Sequence, residues 1–216
     1  MSHSLRLIAT TAAATITGTT LVAGPARADT YQAPLRTAVA SLPVADENRT
    51  GYDRGLFPHW IDADRDGCNT RNEVLISEAT TAPTVGAGCS LSGGRWYSYY
   101  DDAYWTLPAD LDIDHMVPLA EAWDSGAGTW SSPRRKAYAN DLGDRRSLVA
   151  VTDNVNQAKG DKDPAEWLPP NQVCRYVREW TVVKKRWSLA VDPAEYDALM
   201  TLADGCPNIT ITVSLA

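Results

Sequence analysis

The sequence is short of what a membrane protein, a zinc protein or a strongly basic binder would need. Beyond Val22 no apolar run approaches the roughly 20 residues required to cross a bilayer, so no spanning segment is expected there. The cysteines Cys68, Cys89, Cys174 and Cys206 include no C-x-x-C pair, and their spacing fits a zinc site poorly. Histidine is scarce: beyond His3 there are only His59 and His115, which leaves few imidazoles to act as proton acceptors near neutral pH. Positive charge is lacking too. The formal net charge is −7, whereas a protein that grips nucleic acid usually gains affinity by neutralising phosphates.

What is present begins with a segment that reads as a secretory signal over residues 1–28. Arg6 supplies the positive start, Leu7 to Val22 is apolar and small, and Ala26-Arg27-Ala28 is a cleavage site of the A-x-A kind. The remainder, 29–216, is long enough for one domain with a real core. In an exported chain an even cysteine count favours disulfides. Of the three pairings, Cys68–Cys89 with Cys174–Cys206 is expected, because each closes a separate local unit.

Removing Arg6 and Arg27 takes the net charge to −9, and that charge is unevenly spread. Residues 29–132 carry 6 basic and 16 acidic side chains, and residues 133–216 carry 12 and 11. The basic groups of the second part cluster as Arg134-Arg135-Lys136, Arg145-Arg146 and Lys184-Lys185-Arg186. Such clusters are by default solvated helix faces.

Asp62 to Glu73 fits D-x-D-x-D-G-x₅-E, in which alternate carboxylates and a terminal Glu surround Ca²⁺. Asp62, Asp64, Asp66 and Glu73 are the candidate ligands. Asn69 stands where an EF-hand loop places an apolar residue, and Pro58 sits too close upstream for a preceding helix. The expectation is a calcium loop outside an EF-hand pair; the alternative is an Asp-rich turn held by Cys68–Cys89. Arg71, within this loop, is a candidate contact to a substrate phosphate. His59, between Pro58 and Trp60, reads as a packed side chain and stays outside the site.

Coarse elements follow from periodicity and punctuation. Tyr31 to Val44 is helix-compatible, with Leu35, Val39 and Leu42 on one face. Arg95 to Tyr100 reads as an aromatic strand, turned at Asp101-Asp102. Leu111-Asp112-Ile113 is a strand that delivers Asp114 and His115, and a short helix follows over Leu119 to Trp123. A helix over Arg134 to Leu142, a strand over Ser147 to Val151 and a helix over Asp153 to Lys159 come next. Asp163-Pro164-Ala165-Glu166 and Asp192-Pro193-Ala194-Glu195 are both helix starts, and the stripe Tyr176, Trp180, Val183, Trp187 is core.

The stretch richest in chemistry runs from Asp112-Ile113-Asp114-His115-Met116-Val117-Pro118-Leu119 to Asn156-Gln157-Ala158-Lys159-Gly160-Asp161-Lys162. A carboxylate and an amide oxygen suit a hard cation, and an adjacent imidazole can take a proton from water. Residues 111–170 resemble the HNH (ββα-metal, His-Me finger) endonucleases, in particular a secreted branch close to the GmrSD C-terminal domain, with an Asp-His dyad and a late Asn-x-x-Lys. The resemblance implies an α+β fold in a single domain. A ββα-metal core at 109–170 would lie between a β-rich, disulfide-stapled lobe at 29–108 and C-terminal helices at 171–216. It also implies His115 as general base, Asp114 and Asn156 as ligands of Mg²⁺ or Mn²⁺, and Lys159 and Lys162 as phosphate contacts. Asp112 is a supporting partner or a further ligand. Asn154, two residues from Asn156 on the same helix, cannot share its ion.

One departure stands out. HNH proteins often carry an asparagine before the second strand to brace the histidine; here Arg145-Arg146-Ser147 occupy that place, with Asn140 nearby, and the bracing residue is left open. The implied activity is a secreted, non-specific, metal-dependent endonuclease on DNA, with RNA left open as a second substrate, monomeric and without a membrane partner. Two other readings compete. One is a calcium-binding, disulfide-stapled extracellular module with an inactive HNH-like stretch. The other is a hydrolase of a different phosphodiester, such as a phospholipid, against which the lack of an exposed apolar segment argues.

Overall fold

The hairpin expected to carry Asp114 and His115 forms at the centre of the molecule. The structure, a computed structural model, describes Met1 and residues 29–216, so the signal expected over 1–28 lies outside the described residues. In chain order the elements are β1 (Thr30–Pro34), α1 (Leu35–Ala40), α2 (Thr70–Glu78), β2 (Thr84–Val85), β3 (Leu91–Ser92), β4 (Trp96–Ser98) and β5 (Ala103–Trp105). They continue with β6 (Leu111–His115), α3 (Leu119–Asp124), α4 (Ser132–Ala139), β7 (Leu148–Thr152), α5 (Asp153–Lys159), α6 (Val173–Trp187), α7 (Pro193–Asp204) and β8 (Thr210–Ser214). Among the described residues the strands make four two-stranded antiparallel sheets, β1–β8, β2–β3, β4–β5 and β6–β7. The fold is α+β.

In the central hairpin Asp114 lies opposite Val149 and His115 opposite Leu148, and α5 leaves directly from the end of β7. Every residue of β7 is buried, because both faces of the hairpin are covered. Successive strand side chains point to opposite faces. Leu148 and Ala150 accordingly join Leu111, Ile113 and Trp96 beneath Val74 and Leu75 of α2. Val149 and Val151 face the larger core, built on the α6 stripe Tyr176, Trp180, Val183 and Trp187 together with α1, α7 and β8. The Glu78 carboxylate of α2 accepts the Ala150 N–H at 2.7 Å, covering part of the edge of β7 with a side chain where another strand would pair.

Both disulfides form as expected, Cys68–Cys89 beside α2 and Cys174–Cys206 between the start of α6 and the end of α7. Three expectations are corrected. Residues 30–34 are not helical: they pair with β8, Thr30 opposite Ser214, and the helix starts only at Leu35. Asp163 does cap, its Oδ1 accepting from Ala165 N and Glu166 N, but the result is a turn. Pro169-Pro170 follow two residues after that turn and cannot supply the N–H groups that a longer helix needs. Lys184 is not part of a solvated basic face. It is fully buried, donating to Glu121, Glu195, the Ser125 hydroxyl and the Ala190 carbonyl.

Candidate active site

His115 closes β6 and is buried. Its Nε2 lies 2.9 Å from the carbonyl oxygen of Ala139, the last residue of α4. The final carbonyls of a helix have no partner within it, so this one is free to accept. A carbonyl only accepts, so Nε2 carries the proton and Nδ1 holds the lone pair. Burial pushes the imidazole down to about 3; the bond to Ala139 opposes this and the nearby charges of Arg54 and Lys159 add to it. The ring rests 5.4 Å from Trp60 and 6.4 Å from Tyr138.

The brace left open by the sequence is supplied from the end of α4. The Ala139 carbonyl holds the imidazole, and Asn140 holds the segment around it. Asn140 Nδ2 donates to Pro58 O and Lys136 O, while Oδ1 accepts from Ile61 N and the Thr70 hydroxyl. The loop carrying His59 and Trp60 is thereby tied to the helix that orients His115. His59 donates from Nδ1 to Phe57 O and does not line the cleft, in keeping with a packed histidine.

Asp114 is also buried. Its Oδ2 accepts from Lys159 Nζ at 2.5 Å and from the Tyr100 hydroxyl at 2.6 Å, whereas Oδ1 makes no hydrogen bond among the described residues. Lys159 has no exposed surface, and its remaining donors go to the carbonyls of His115 and Met116, each at 3.0 Å. Lys159 is therefore not a phosphate contact. All three of its N–H groups are spent on fixing the Asp-His dyad. Asn156, half-buried on α5, donates from Nδ2 to Asp112 Oδ2 at 3.1 Å. Asp112 is thus a supporting partner, and the amide oxygen of Asn156 remains available. Asn154 is exposed and does not line the cleft.

Asp114, His115 and Asn156 line one cleft of about 170 Å³, together with Arg54, Gln157 and Asp161. A free carboxylate oxygen and an amide oxygen are the hard donors that Mg²⁺ takes when substrate phosphate and water complete its shell, so the residues present fit the ion. Arg71 does not reach this cleft: its Nη2 donates to Pro108 O and Leu111 O, tying α2 to the start of β6. Lys162 is exposed just beyond α5, with one bond to Ala158 O. Two residues of the site were not foreseen. Tyr100 ended an aromatic run that reads as core, and Arg54 is an isolated basic residue whose sequence neighbours give no hint of where it lands.

In the acidic loop Asp62, Asp64 and Asp66 each bring one oxygen within 4.8 Å of the others. Asp62 also accepts from Arg65 N and Gly67 N, and Gly67 takes the φ of +96° that the turn requires. Glu73, in the first turn of α2, stands outside this trio; burial and repulsion by the three aspartates raise its carboxyl.

Residues 75–202 match the family described as the C-terminal domain of GmrSD restriction endonucleases. The chain belongs to this family. The GmrSD C-terminal span takes in Asp114, His115 and Asn156, while Arg54 and the aspartates of the acidic loop precede it. A protein of Arthroderma benhamiae, named as an uncharacterized secreted protein, is 48% identical over 158 residues, covering 72% of this chain and 76% of that protein. No solved structure matches.

Proposed function

We propose that this protein is a secreted, metal-dependent endonuclease that hydrolyses phosphodiester bonds of DNA and RNA with little sequence preference, the β6–β7–α5 unit serving as its ββα-metal core. The observation that carries the reading is a neutral His115 with a free Nδ1, in the same cleft as the free oxygens of Asp114 and Asn156. His115 Nδ1 takes the proton of a water as its oxygen attacks phosphorus, and the P–O bond to the leaving 3′-oxygen breaks. Asp114 and Asn156 would hold a divalent cation, which would supply charge neutralisation to the reacting phosphate. Arg54 and Lys162 bind flanking phosphates, contacts that position the strand without reading bases. Ala139 O keeps His115 in the productive tautomer, and Asp112 keeps the Asn156 amide turned.

The acidic loop is a second metal site on this reading, structural and suited to Ca²⁺, favoured by its alternating carboxylates and by the electrostatic cost borne by Glu73. Plasmid nicking by the oxidised, secreted protein in Mg²⁺, Mn²⁺, Ca²⁺ and EDTA tests both. Cleavage is expected with Mg²⁺ or Mn²⁺ and not with EDTA. His115→Ala is expected to lower it by roughly 10²–10⁴-fold with the circular dichroism unchanged. Asp62→Ala should leave Mg²⁺-driven cleavage in place and reduce, by the share of the acidic loop, a calcium-dependent rise in Tm. Failure to cut either DNA or RNA in any of these metals would sink the nuclease reading.

A further inference from the structure

Away from the cleft, the loop that follows α1 lays Glu47 against a group of carboxylates. Glu47, Glu121 and Asp124 each offer one oxygen within 4.8 Å of the other two, and Glu47 forms a second such trio with Asp163 and Asp192. The basic partners are few. Lys184 takes Glu121 Oε1 at 2.6 Å and Glu195 Oε2 at 2.9 Å, and Arg49 Nε takes Asp124 Oδ2 at 2.6 Å. Six carboxylates are left facing two cations.

A second observation points to a missing ligand. The Asp124 side chain is only 1% exposed, and its Oδ1 is buried with no hydrogen-bond partner among the described residues. A buried carboxylate oxygen without a donor carries its full desolvation cost, and native structures leave few such atoms unexplained. Lys184 and Ser125 both donate to Glu121 Oε1 and leave Oε2 clear of them.

We propose that Glu47, Glu121 and Asp124 form a site for a divalent cation of the calcium type, distinct from the catalytic cleft and from the acidic loop. Oxygen-only donors from three carboxylates, two on a helix and one on a loop, match the irregular shell of Ca²⁺ better than the strict octahedron of Mg²⁺. The ion supplies the partner that Asp124 Oδ1 lacks and fastens the Glu47 loop to α3. That loop also carries Arg49, whose Nη1 lies 3.5 Å from Asp161 Oδ2, and leads to Arg54; Asp161 and Arg54 both line the catalytic cleft. A cation at Glu47 therefore fixes one wall of that cleft from behind.

Calcium titration by calorimetry tests this without reference to cleavage. In the oxidised protein carrying Asp62→Asn, Asp64→Asn and Asn156→Ala, one calcium is expected to bind and to raise Tm. Adding Glu47→Gln, an exposed position, is expected to weaken that binding at least tenfold and remove the rise, and Asp124→Asn is expected to do the same. Should the triple background fold poorly, the unsubstituted protein and Glu47→Gln alone are compared, with a drop of one bound calcium expected. Calcium binding and Tm that are indifferent to Glu47→Gln would overturn the site and leave the cluster neutralised by shared protons.

Discussion

Lys159 has the side chain whose identity the sequence displays and whose role it hides. The Asn-x-x-Lys spacing marks the residue, but only the fold reveals that its ammonium is sealed beneath Asp114, with no solvent to share with a phosphate. Removing one member of a buried ion pair strands the other charge, at about 3–5 kcal/mol. Lys159→Met should lower unfolding stability by that order, whereas Lys162→Ala should leave stability unchanged and reduce the salt slope of nucleic-acid binding by about 1. Urea titration beside binding at several salt concentrations separates the two; a stable Lys159→Met that binds weakly would reverse the assignment. Asp114, His115 and Asn156 were legible because each sits in a short motif whose residue types imply the chemistry. Arg54 was not, since its place in the cleft depends on how a distant loop is folded back.

At the scale of elements, the hairpin β6–β7 and helix α5 could be read because apolar runs, a proline and a helix cap punctuate them locally. The pair β1–β8 could not. Its strands lie at opposite ends of the described chain, and neither shows a pattern that names its partner. The Glu78 carboxylate that covers part of the β7 edge was equally invisible, being an ordinary acid in a helix until the strand is packed against it. Burial raises that carboxyl from 4.5 to about 7. For an acid raised on folding, the stabilisation is complete below its unfolded value near 4.5 and is lost as pH climbs through about 7. The shift corresponds to at most about 3 kcal/mol. Glu78→Gln keeps an acceptor for Ala150 N and drops the charge, so its stability relative to the parent should increase between pH 5 and pH 8. A parallel pair of stability curves across that range would show that Glu78 titrates normally.

Across the whole molecule, negative charge outweighs positive, and several of the basic clusters that promised relief are occupied internally. Arg134 and Arg135 donate to backbone carbonyls, Arg146 pairs with Asp144, and Lys184 is buried. At the cleft itself, the cations that this reading assigns to phosphates are Arg54 and the nearby Lys162. With two or three contacts, log K should fall against log salt with a slope of only about −2 to −3 on duplex DNA, measurable by fluorescence anisotropy with catalytically dead His115→Ala. A slope near −6 or steeper would mean that a broad basic face, not the cleft alone, carries the substrate. The antiparallel pairing of Thr30 with Ser214 adds a consequence in time. In a chain exported with its first residues leading, β1 emerges before β8, so the sheet they share cannot close until β8 has followed. Contacts this distant along the chain also form slowly, so the β1–β8 sheet is expected to be completed only once the segment carrying β8 has been exported.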